Sequence, residues 1–246
     1  NLSKAIMTNS HFSDNVGSRW TLHQVDLSDS FFESYNVEDS NFSKVNFLRT
    51  IFLKNSITRT IFSKTILRQI ALVGSNLEEV TLNNSPVINS QLRDVTNIAS
   101  IIISSSFNRN IMINNKGLEK ASNVSPITSL DQILLTKDLS NLNFSFVDFS
   151  NQNFLQVNFS GSVFRGSALK KSSLISCLMD NVDFRDSNLS EANLSGSRIV
   201  NSNFDGSVLI NTNLDSTILQ NIDFRRAGLV SVSFKNAQIE NVFGLK

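Results

Sequence analysis

The stretch LSNLNFSFVDFSNQNFLQVNFSGSVF, residues 139–164, decides how this chain folds. Leu139, Phe144, Phe149, Phe154, Phe159 and Phe164 stand five residues apart. The series continues without a gap through Leu169, Leu174, Met179, Phe184, Leu189, Leu194, Ile199, Phe204, Leu209, Leu214, Leu219, Phe224, Leu229, Phe234 and Ile239. With 40% hydrophobic residues overall, such a run has a chance probability on the order of 10⁻⁸ and marks an internal repeat. Neither the helical period nor the alternation of a strand generates it. A five-residue period needs a backbone that turns a corner once per repeat.

Working outward, residues 2–112 carry the same signal in another phase, from Leu2 and Met7 to Phe107 and Met112, broken only at Gly17 and Asn97. Met112 and Leu139 are 27 residues apart, five repeats plus two, so the register slips across 113–137. The spacing therefore predicts two blocks, 1–112 and 138–246, joined by an interruption at 113–137. Within the interruption, Asn115-Lys116-Gly117 reads as a turn, and Ser125-Pro126 as a helix N-cap with Pro in the first helical position. Ile127, Leu130, Ile133 and Leu134 then share one face, which predicts a helix over 126–136 after an irregular loop over 113–124. That segment is either a structural crossover or a partner-binding excursion, since insertions on solenoids often carry recognition.

The other repeat positions have their own preferences. Two residues before each centre the side chain is small or β-branched, as at Ser162, Ser167, Ser172, Cys177, Val182, Ser187 and Ala192. One residue before it Asn or Asp recurs, as at Asn143, Asp148, Asn153, Asn158, Asp183 and Asn193. Segments such as Glu191-Ala192-Asn193-Leu194-Ser195 resemble the pentapeptide-repeat family, whose motif is roughly A(D/N)LXX, over about nine-tenths of the chain. That resemblance implies an all-β, right-handed quadrilateral parallel β-helix with four pentapeptides per coil. The 23 and 21 centres of the two blocks then pool to about 11 coils. Centre and small residue should point inward and alternate because so narrow a square must still be close-packed. The other three positions should face solvent. Residues twenty apart stack, so Phe144, Phe164, Phe184, Phe204 and Phe224 are expected to form an internal ladder.

Composition narrows the function. Net charge is +1, and it is balanced in both blocks, so no general field exists to attract nucleic acid or an anionic membrane. No apolar run approaches the roughly 18–20 residues of a membrane span, and no signal peptide is recognisable. The single cysteine, Cys177, sits at an inward small position and reads as a core filler. His11 and His23 are both expected outward and lack metal-ligand spacing. No catalytic, cofactor-binding or metal residues are assigned. Because Leu2 is already a repeat centre at the start, the chain is expected to be a fragment of a longer protein.

Among pentapeptide-repeat proteins, this Asn- and Ser-rich style resembles the β-helix regions of secreted bacterial effectors. Some of those set the β-helix before a HECT-like ubiquitin-ligase domain as the substrate-recognition part. The resemblance thus implies a non-enzymatic protein–protein interaction module, acting in the bacterial cytoplasm or delivered into a host cell. The alternatives are a DNA mimic that protects gyrase, as in the quinolone-resistance branch, and a purely structural spacer. Balanced charge disfavours the mimic, which needs an acidic strip. The sequence names neither the partner nor the oligomeric state. One surface feature stands out: Lys44, Arg49, Lys54, Arg59 and Lys64, each two residues after a centre, should form a basic collar around one coil. Its alternative readings are a solvated ring and a docking site for an acidic partner.

Overall fold

A computed structural model of the chain describes residues 3–98, 107–108, 110–113, 115 and 130–245. They belong to two compact units, Asn1–Ser129 and Leu130–Lys246. Both are parallel β-solenoids in which each residue pairs with the one twenty further on, as Phe12 with Phe32, Leu72 with Leu92 and Ile199 with Leu219. There are about 10 turns, not 11. Twenty-three centres close five whole coils and twenty-one close another five; the eleventh required pooling sides left over on either side of the interruption.

The corner of each pentapeptide is made by an outward residue that the hydrophobic period does not mark. Two positions after nearly every centre the backbone is left-handed, with φ of 55° at Lys44 and Arg49, 58° at Asn181 and 57° at Asn211. Where the next inward residue closes the turn, its amide donates to the carbonyl of the centre, as Val147 to Phe144 and Ser187 to Phe184, both at 3.1 Å. Positive φ at the third residue alone makes these type II turns. β-Branched side chains are strained at that φ, and no Val, Ile or Thr occupies such a position in 4–94 or 141–241.

Unit 1 forms a sheet on each side of the square. One holds His11–Ser13, Phe31–Glu33, Ile51–Leu53, Ala71–Val73, Gln91–Arg93 and Ile111–Ile113. Another holds Thr21–His23, Asn41–Ser43, Ile61–Ser63 and Thr81–Asn83. In unit 2 one side is a sheet of Leu178–Asp180, Arg198–Val200, Ile218–Asp223 and Gln238–Phe243. Its other sides are held by single parallel bridges such as Asn143 to Val163.

The centres fill the interior. Phe144, Phe164, Phe184, Phe204 and Phe224 stack with centroid distances of 5.0, 5.1, 4.7 and 5.0 Å. Around one coil, Phe144, Phe149, Phe154 and Phe159 meet edge to face at 5.3–5.4 Å, the arrangement their ring quadrupoles favour. The inward small residues do more than save space. The Ser162 hydroxyl accepts from the Leu142 amide (3.1 Å) and donates to the Leu139 carbonyl (2.7 Å). Ser202 likewise joins Val182 and Met179. Asn55 makes the same clamp with its amide, to Tyr35 and Phe32, at 2.9 Å each. Coil-to-coil backbone groups at the buried corner are thereby satisfied, as burial requires. Cys177 occupies such a slot, fully buried, its Sγ 3.3 Å from the Phe154 carbonyl.

Four expectations change in detail. Asn97 is exposed with φ 59°, and Ile98 takes its place in the core, because an amide cannot replace a core centre without losing its solvation. Asn115 fills the inward slot of a further repeat, its side chain accepting from Val95 and donating to Leu92, so the repeat pattern extends past Met112; Lys116 and Gly117 of the expected turn lie outside the described residues. The outward rule fails on the first sheet of unit 1, where Ile51, Ala71, Val73, Gln91 and Ile111 are buried. Ile51, Ala71, Gln91 and Ile111 stand twenty apart, so one row of that outer face, apolar at three of its four residues, is buried instead of solvated. The helix runs over Leu130–Leu135, with Ile133 buried and Leu135 exposed; Thr136 lies beyond it. Ser125-Pro126, Ile127 and the loop expected over 113–124, apart from Ile113 and Asn115, lie outside the described residues.

Candidate interaction surface

Because the corner residues are left-handed and outermost, each corner forms a column along the solenoid in which side chains twenty apart are neighbours. Lys44, Arg49, Lys54, Arg59 and Lys64 all lie at such corners, with φ between 46° and 56°. Five successive pentapeptides carry them around all four corners, so they encircle the coil and no single flat face meets all five. What stands one coil earlier then divides them. Arg49 forms a bidentate pair with Asp29, Nε to Oδ1 at 2.6 Å and Nη2 to Oδ2 at 2.7 Å. Arg59 holds Asp39 at 2.7 Å and also bonds Glu38. The Arg59 guanidinium, chiefly through that hydrogen bond, holds the Asp39 carboxyl below the usual carboxylate range. Lys44, Lys54 and Lys64 are exposed and make no ion pair among the described residues. The Lys54 stem instead lies over Gly74, whose missing Cβ would sit 3.7 Å from its Cγ.

Unit 2 carries an outer face of alternating charge over the phenylalanine stack. Arg185 bonds Asp183 at 2.7 Å, Arg225 bonds Asp223 at 2.6 Å, Arg165 reaches Asp186 at 3.4 Å, and Arg226 bonds Asp205. Asp205 and Asp223 are both held below the ordinary carboxylate value, first by hydrogen bonds from Arg226 and Arg225 respectively. A neighbouring corner is an amide column: Asn241 donates to Asn221 at 3.1 Å, and Asn221 to Asn201 at 2.7 Å.

The residues weighed for chemistry lie apart. His11 is exposed, 4.9 Å from the Phe31 ring and 3.8 Å from Glu33; His23 is half-buried on a different sheet. Burial pushes the Cys177 thiol pKa up, which opposes the thiolate form a nucleophile needs. Among the described residues no group of three His, Cys, Asp or Glu could hold a metal ion. A void of about 20 Å³ inside unit 1 is lined only by apolar side chains, including Phe52, Phe62, Leu72 and Leu82. Such a lining offers a water no partners. No helix among the described residues is long and apolar enough to cross a membrane.

A five-residue repeat with one corner per repeat, closed by coils twenty residues long, defines a class of protein: a solenoid built from pentapeptides. The family described as Pentapeptide repeats matches residues 138–181, 169–209 and 207–243, with 8 copies, all of them in the second unit. Among solved structures, it is similar to the pentapeptide-repeat protein Rfr23 from the cyanobacterium Cyanothece 51142. That match has 21% identity and a TM-score of 0.38, covering 46% of this chain and 95% of that one. It is similar also to HetL, involved in heterocyst differentiation regulation in the cyanobacterium Nostoc, at 17% identity and TM-score 0.26, covering 97% and 88%. The plasmid-mediated fluoroquinolone resistance protein QnrB1 matches at 12% identity and TM-score 0.27, covering 94% of each chain. These likenesses are of fold. No curated protein matches the sequence.

Proposed function

We propose that this chain is a rigid, non-enzymatic protein–protein interaction module, carried within a larger bacterial effector as its substrate-recognition part. The observation that carries this reading is the division of labour within each repeat. Inward slots are consumed by packing and by hydroxyl or amide clamps, while corner columns display side chains at a fixed spacing of about 4.8 Å. Such a surface is pre-organised, and pre-organisation lowers the ordering cost of binding. The Asn- and Ser-rich style of the repeat supports the effector setting, in the bacterial cytoplasm or inside a host cell. DNA mimicry has less support, because Asp183, Asp205 and Asp223 are each neutralised by an arginine and no bare acidic strip forms there.

A cross-linking and size-exclusion experiment with the full-length protein tests this. The expected result is a defined complex with a protein partner that requires the folded repeats. Recovery of the chain alone at all concentrations, with gyrase supercoiling protected, would transfer the case to the DNA mimic.

A further inference from the structure

One corner column differs from every other. Along it stand Lys4, Gln24, Lys44, Lys64 and Asn84, all with φ between 48° and 63°. In other columns cations stand one coil from an acid: Arg49 pairs with Asp29, Arg59 with Asp39 and Lys171 with Glu191, and Arg19 lies one coil from Asp39 without an ion pair among the described residues. The column through Arg19, Asp39, Arg59 and Glu79 alternates in sign along its length. Lys44 and Lys64 instead stack like on like, one coil apart, about 4.8 Å along the ladder. Like charges placed directly across a ladder are destabilising, so this column holds an unrelieved repulsion that an anionic ligand would relieve.

The column borders the sheet of Thr21–His23, Asn41–Ser43, Ile61–Ser63 and Thr81–Asn83. Its outer rows are Thr21, Asn41, Ile61, Thr81 and His23, Ser43, Ser63, Asn83, with no aspartate or glutamate among them. Of the acids beyond its edges, Asp39 is held by Arg59, Asp29 by Arg49, and Asp26 accepts from Asn46 at 3.0 Å, while Glu79 stands exposed at the far edge, in the column of Asp39 and Arg59. Ile61 is 40% exposed within the polar rows. We infer that this face, resting on the interaction-module reading, docks an acidic segment of a protein partner, with Lys44 and Lys64 taking its carboxylates and Lys4 extending the seam. The mixture of hydroxyls, amides and one apolar side chain is that of a protein interface. A nucleic acid would be held by a larger set of phosphate contacts than three lysines can supply.

The test uses the whole chain and a fluorescent hexaglutamate peptide, with a short oligothymidylate in parallel, read by anisotropy. Hexaglutamate should bind at low salt and weaken as added salt shortens the Debye length. Lys44→Glu with Lys64→Glu should weaken it by about tenfold or more. That double reversal exchanges one like-charged pair for another, so the melting temperature should hold. Lys54→Glu, at a different corner, should leave binding within about twofold of wild type, since rim charges at a distance are screened. Equal loss from Lys54→Glu, no hexaglutamate binding, or tighter binding of the oligonucleotide through the same lysines would overturn the inference. A captured partner whose affinity ignores the double reversal would also overturn it while leaving the interaction-module reading intact.

Discussion

Trp20 stands in the space that Gly17 leaves empty. A Cβ added at Gly17 would lie 2.7 Å from Cε2 of the indole, and the ring also meets Tyr35 at a centroid distance of 5.5 Å. The repeat is thus completed across two positions: the inward slot two before Leu22 carries a side chain large enough to serve as the missing centre as well. Gly17→Leu would restore the repeat pattern and yet should destabilise unit 1 by about 1–3 kcal/mol through overpacking. Tryptophan emission should shift to the red as the ring is driven toward water. A stabilised variant with unchanged emission would show that Trp20 does not occupy the slot.

Phe184 lies between Phe164 and Phe204, at 5.1 and 4.7 Å, and is fully buried. Phe184→Ala should cost about 3–5 kcal/mol, because the stacked neighbours cannot collapse into the gap. The exposed Lys171→Ala should stay within about 0.5 kcal/mol. Chemical denaturation of both variants checks the contrast, and equal midpoints would remove the stack from the list of stabilising features.

The Asn55 clamp separates two explanations for small polar residues inside the coil. If volume alone matters, Asn55→Leu should be mild. The hydrogen bonds to Tyr35 and Phe32 predict instead a loss of about 1–3 kcal/mol for each backbone group left unsatisfied. Asn55→Ser should recover part of it, since Ser75 serves the next coil by accepting from Asn55 and donating to Phe52. Urea unfolding should rank wild type above Ser and Ser above Leu; the reverse order for Ser and Leu would favour volume.

Asp205 gives a pH signature. Arg226 lowers its folded pKa below the unfolded value of roughly 3.9. The stabilisation is therefore fully present above the unfolded pKa and lost as pH falls through the folded one. Asp205→Asn should lower the melting temperature near neutral pH, and the gap from wild type should close in strong acid. A gap that persists there would mean the carboxylate acts through shape and not charge.

The hydrophobic phase made the inward centres legible, and Phe144 through Phe224 stack as their spacing implied. The corner shows in the sequence only as an absence, the exclusion of β-branched residues from the positions of Asn181, Asn201 and Asn221. Serine at 162 and 202 carries only a volume signal in the sequence, since a hydroxyl's partners one coil away are invisible until coils are aligned. The collar shows the same limit. At every fifth residue Lys44, Arg49, Lys54, Arg59 and Lys64 are equivalent, whereas at every twentieth Asp29 and Asp39 lie beneath the two arginines and the lysines have no ion pair among the described residues. Ile51, Ala71 and Ile111 likewise fall into one buried row only in that alignment.

The strict twenty-residue register also governs how this chain can change in length. Removing five residues deletes one side, so every column downstream advances by a quarter turn and meets a different column upstream. Removing twenty restores the alignment with one storey fewer. A family of such proteins can therefore re-index which faces lie side by side through short deletions that leave the core chemistry untouched. The local slip from Asn97 to Ile98, after which Val87 still pairs with Phe107, shows that a misplaced residue can be absorbed within one coil without turning the faces.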